Sequence, residues 1–100
     1  MRIELQPAAV DDARAARRYY DAAQPSLGEE FLNELDRLFA RLSEFPLSSQ
    51  SVEGYEDVRR ARVRRFPFAV FYRTDGLDQI DVLRIVHTAR DPDSWASEPA

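Results

Sequence analysis

Cysteine is missing from this 100-residue chain. Without it there is no disulfide framework and no thiolate metal site. Histidine occurs once, as His87, so an imidazole-based metal site lacks a second ligand of its kind. Neither a metal nor a cofactor is expected. Lysine is absent too, and all fourteen basic side chains are arginine. Every side-chain cation apart from that histidine is therefore a planar guanidinium, able to grip an oxyanion with two parallel hydrogen bonds. No apolar run approaches the ~18 residues a membrane-spanning helix needs. The opening "MRIELQPAAV" has no basic segment followed by a long apolar one, so a secretion signal is not expected and the cytoplasm is the expected compartment.

What is present is an ordinary globular balance, 44% hydrophobic and 32% charged. A chain of this length makes one domain and can bury roughly two-thirds of its unfolded surface. We expect that domain to span residues 3–95, with a frayed tail at 96–100. The charge is unevenly placed. Residues 1–57 carry six arginines against twelve acids, and residues 74–100 carry two against six. Between them, "VRRARVRRFPFAVFYR" (58–73) holds six arginines and no acid, in a chain of net charge −4. A net acidic protein is not broadly drawn to nucleic acid, so only this segment could supply a basic patch. Direct nucleic-acid binding therefore stays open.

Periodicity gives the elements. "RIEL" alternates Ile3 and Leu5 against Arg2 and Glu4, as a short strand does. The alanine-rich stretch 8–23 reads as a helix with Ala9, Ala13, Ala16 and Tyr20 on one face, and with Asp11, Asp12, Arg17 and Arg18 placed to complement its dipole. Ser26 and Glu29 fit a capping box for a second helix. That helix has a stripe of Phe31, Leu35, Leu38, Leu42 and Phe45, flanked by Leu32 and Phe39, and Pro46 stops it. The short link implies an antiparallel helix hairpin. Residues 46–57 read as a polar loop.

Three strands follow. Arg60, Arg62 and Arg64 alternate with Ala61 and Val63. Phe66, Phe68, Val70 and Tyr72 alternate with Ala69 and Phe71. After an Asp75-Gly76 turn, strict alternation puts Ile80, Val82 and Val86 on one face and Leu83, Ile85 and His87 on the other. The order β-α-α-β-β-β describes an α+β domain of two layers, a helix hairpin on one face of a mainly antiparallel sheet.

The helix pair with "YY…LGEEFL", the segment "RRFPFAVFYR" and the ending "VLRIVHTARDPDSW" together resemble the ParE/RelE superfamily of type II toxins, in its ParE-like, plasmid-stabilisation branch. The resemblance implies the same β-α-α-β-β-β fold and a cognate antitoxin as partner. It implies one of two activities: ParE-like binding to DNA gyrase, or RelE-like ribosome-dependent cleavage of messenger RNA. A non-toxic binding module on the same fold is a third possibility. Where the RelE-like branch places a cation at the start of its third strand, this chain has Phe68. That exchange removes a group that stabilises developing phosphorane charge, which disfavours the enzyme. A ribonuclease would have to draw on Arg64 or Arg65, Arg73, His87 and Arg90. His87 alone suits a strand-end packing role as readily as a base. Arg90 suits an ion pair with a neighbouring aspartate as readily as a phosphate contact, and Trp95 reads as a lid over the core edge.

The arginine row has its own ambiguity. Like charges on alternate strand positions discourage edge aggregation, but they also repel. An acidic partner, or internal pairing with the chain's own carboxylates, would relieve that repulsion. We expect partner contact through Arg60, Arg62, Arg64 and Arg90, with Leu32, Phe39 and Tyr19 contributing from the helices.

Overall fold

A computed structural model describes residues 1–75 and 77–89. Arg90, Trp95 and the expected tail lie outside the described residues. The elements are β1 (Arg2–Leu5), α1 (Pro7–Ala23), α2 (Leu27–Glu44), β2 (Gln50–Ser51), β3 (Val58–Arg62), β4 (Phe68–Thr74) and β5 (Gln79–His87). The strands form one sheet in the order β1-β5-β4-β3-β2. Its pairs are antiparallel except β1 with β5, which is parallel. The expected α+β architecture is therefore present, with one strand more than periodicity gave. β2 escaped notice because two exposed residues cannot show an alternation.

The main core lies between helices and sheet. Ala9 and Ala16 of α1, and Phe31, Leu35, Leu38 and Leu42 of α2, pack with Ala61, Val63, Phe66, Phe68, Val70, Tyr72, Ile80, Val82 and Ile85. Tyr20, Phe31, Phe66 and Phe68 meet mostly edge to face, with centroids 4.9–6.1 Å apart. That geometry suits ring quadrupoles and adds to the area they bury. Tyr72 is fully buried, and its hydroxyl donates to the Pro46 carbonyl at 2.8 Å, tying the exit of α2 to the sheet.

Four local expectations need correction. Ser26 does sit at the N-cap, but at φ 72° and without a side-chain cap bond. Its place is taken by Asp21, which accepts from the Gly28 N–H at 2.9 Å across the hairpin. Phe45, assigned to the apolar stripe, is 58% exposed because the helix ends at Glu44 and the C-cap backbone turns away. Asp11 and Asp12 lie past the first turn of α1, and Arg17 and Arg18 before its last, beyond the useful reach of its dipole. Finally, β5 does not alternate strictly. The register shifts between Phe71 and Tyr72, which pair with Arg84 and Val82, so Leu83 is an extra residue. Beyond that bulge every side chain changes face. Ile85 and His87 therefore join Ile80 and Val82 on the helix side, while Leu83 and Val86 face away.

Candidate partner-binding surface

The helices cover only one face of the sheet. On the other, Val58, Ala69, Phe71 and Val86 form a second apolar cluster, with Val52 and Leu83 at its margin. Register places three arginines on that face: Arg60 beside Phe71, Arg62 beside Ala69, and Arg73 beside Val58. The Arg60 guanidinium lies 6.0 Å from the centre of the Phe71 ring, within cation–π range. The outer surface is thus a layer of guanidiniums over a small hydrophobic floor.

The six arginines of 58–73 divide into two groups. Arg59 and Arg65 are used internally. Arg59 donates to the Leu47 and Ser49 carbonyls at 3.1 and 2.7 Å, holding the 46–57 loop against the sheet. Arg65 adopts φ 70° in the β3–β4 connection, and that turn aims it at α2. There it pairs with Glu30 at 2.8 Å and reaches Glu34 at 3.7 Å. The hydrogen bond and charge of Glu30 raise the Arg65 pKa above its ordinary value. Glu34 is buried and also accepts from Arg37 at 2.8 Å, so its carboxylate is shared by two cations. Arg60, Arg62, Arg64 and Arg73 have no ion pair among the described residues. Arg64 follows the end of β3, so the expected three-residue comb is a strand pair, Arg60 and Arg62, with Arg64 exposed beyond it.

Among the described residues, Arg65, Arg73 and His87 of the set expected of a ribonuclease are not gathered. His87 pairs with Phe68 at one end of β4, on the helix side, and its ring meets Phe68 at 5.2 Å. Its Nδ1 accepts from the Ala89 N–H at 3.2 Å. Arg73 lies toward the other end of β4, on the opposite face. Five residue steps along β4 separate them, roughly 17 Å of sheet. Arg65 is held by α2, and Arg90 falls outside the described residues. Among the helix residues, Leu32 and Phe39 are partly buried against the core, and Tyr19 is 58% exposed with its ring edge-on to Tyr20 at 5.2 Å.

A model of the family described as "ParE toxin of type II toxin-antitoxin system, parDE" matches residues 3–92. The chain belongs to the ParE toxin family. Among solved structures, this ParE-family chain is similar to a chain of the chromosomal ParDE toxin–antitoxin system from P. aeruginosa. They share 20% sequence identity at a TM-score of 0.73, over 87% of this chain and 95% of that one. At that identity the likeness speaks for the fold. No curated protein matches this sequence.

Two polar clusters in this ParE-family fold had no sequence-level signal. One is Arg65 with Glu30 and Glu34, linking positions thirty-five and thirty-one residues apart. The other is Asp12, whose carboxylate accepts from Arg84 Nε at 2.7 Å, from Arg84 Nη2 at 3.1 Å and from the Ile85 N–H at 2.9 Å. β1 pairs with β5 only as far as Val82, so an aspartate from α1 continues the edge that β1 leaves. The β5 bulge presents Arg84 and the Ile85 amide to it together.

Proposed function

We propose that this ParE-family toxin acts by binding DNA gyrase, and that a cognate antitoxin neutralises it. The carrying observation is the sheet face turned away from α1 and α2, where Arg60 lies over Phe71, Arg62 beside Ala69 and Arg73 beside Val58, with no ion pair among the described residues. In a net acidic chain, three cations on one face with no ion pair among the described residues suit a partner bearing anions. Binding through such a face requires no general base. The dispersal of Arg65, Arg73 and His87 over two faces and opposite ends of the sheet favours that reading over RNA cleavage. Gyrase as target places the action in the cytoplasm.

The test is a gyrase supercoiling assay run beside a cell-free translation assay. Loss of supercoiling with translation intact is the expected result. Arrested translation with normal supercoiling would move the protein to the ribonuclease branch. Absence of growth arrest on expression without an antitoxin would make it a non-toxic binding module.

A further inference from the structure

Within the arginine face, one corner differs from the rest. Arg73 has the Asp81 carboxylate across from it in register, although Asp81 Oδ1 accepts from Gln79 at 2.6 Å. Among the described residues no acid stands across from Arg60 or Arg62: their cross-strand neighbours are Phe71 and Ala69 on one side, and Gln50 beside Arg60 on the other. They lie two residues apart on one strand face, so their Cα atoms are about 6.8 Å apart. The backbone adds a donor. The Val63 N–H points inward to the Phe68 carbonyl at 2.9 Å, so by alternation the Arg62 N–H points outward. β2 pairs with β3 only at Arg59 and Arg60, and so the Arg62 amide emerges on the open sheet edge. One short stretch of β3 thus carries two guanidiniums on the outer sheet face and a main-chain N–H on the adjoining open edge, with Arg64 just beyond.

We infer that this corner binds backbone phosphates of duplex DNA. The inference rests on the gyrase reading, which brings the toxin beside DNA already held by its target. Phosphate takes both donor types present here, the bidentate guanidinium and the main-chain amide. A repeated anion also relieves the repulsion along the row, which one carboxylate at one position does not. The segments on either side of residues 58–73 are net negative, so this segment is the one net-positive stretch that the chain can offer to a polyanion. Such contact is weak and independent of sequence. It would orient the toxin on gyrase-held DNA rather than select a site.

The experiment measures anisotropy of a fluorescent mixed-sequence DNA duplex with the full chain, titrated across salt. Each phosphate neutralised contributes about 0.9 to the slope of log affinity against log salt. R60Q/R62Q should bind more weakly, with a slope shallower by about 1.8. R14Q/R18Q removes the same charge from two exposed positions of α1 and should change neither. Thermal melting of both variants checks that they fold. Equal loss in the two variants would show that only net charge matters and would overturn the inference. So would a slope unchanged in R60Q/R62Q, including the case where poly-glutamate binding is lost instead, which would assign the corner to an acidic peptide. Binding of wild-type toxin to DNA-free gyrase is measured separately. No gyrase binding with the duplex result intact removes the gyrase reading and keeps the phosphate contact. Gyrase inhibition with no effect of R60Q/R62Q on the duplex does the reverse.

Discussion

Single residues decide the sign of several effects. Replacing glycine by alanine inside a helix ordinarily stabilises by up to ~1 kcal/mol. At Gly28 the opposite is expected. A Cβ there would lie 2.5 Å from Asp21 Oδ1 and 2.6 Å from the Arg17 carbonyl. The aspartate can rotate but the carbonyl cannot, so Gly28→Ala should cost about 1–3 kcal/mol as overpacking. Chemical denaturation measures it, and an unchanged midpoint would mean that the hairpin opens freely. Asp12 has a comparable role at the edge of β5. Asp12→Ala removes the acceptor of the Ile85 amide and the carboxylate paired with Arg84, and should cost about 1–3 kcal/mol. Hydrogen exchange gives the more specific readout: the Ile85 amide, slow in the parent, should become fast. Asp75 supplies a pH effect. Its carboxylate accepts from the Leu77 and Asp78 amides, which lowers its pKa below the ordinary value of 3.8. A lowered folded-state pKa stabilises above the unfolded value, and that share is lost as pH falls through the folded one. NMR titration should find the Asp75 carboxyl protonating below 3.8, with the turn amides moving in step; protonation at or above that value would contradict the turn geometry. None of these three roles follows from residue type alone, because each depends on a neighbour supplied by folding.

Elements are more legible. The stripe Phe31 to Phe45 spans about four helical turns, and four of its five members are buried as the spacing requires. Leu38 is 3% exposed in the middle of it, so Leu38→Ala should cost ~2–5 kcal/mol through lost burial and a residual cavity. A midpoint shift far below that range would mean the seam collapses around the truncation. The β strands were legible as far as alternation held. In β3 and β4 it held, and Val70 and Phe71 face opposite layers as read. In β5 it failed, since an apolar run carries no mark of where one residue is surplus. The bulge appears only when β4 supplies the register.

At the scale of the whole molecule, charge is sorted rather than balanced. Arg59, Arg65 and Arg84 are spent on the fold, while Arg60, Arg62, Arg64 and Arg73 are left to the surface. Changing Arg60, Arg62 and Arg64 together to Ser should leave stability within about 0.5 kcal/mol per site, as for surface positions generally. Binding to antitoxin or gyrase should weaken, by calorimetry on purified partners. An unfolded triple variant would assign the row to internal support instead. The same change at Arg65 should act on stability, because its turn is anchored to α2.

By itself the sequence determined the layers of this protein. Apolar residues recur at helical or strand spacing, and burying them on a shared core leaves few arrangements for a chain this short. It also determined that positive charge would gather on β3 and its flanks. Only the tertiary structure decided which cations remain available. That choice turns on where carboxylates distant in sequence come to lie: Glu30 and Glu34 reach Arg65, Asp12 reaches Arg84, and no acid of the described chain stands opposite Arg60 or Arg62. Ion pairing acts over a few ångströms of space, and spacing along a chain does not encode it.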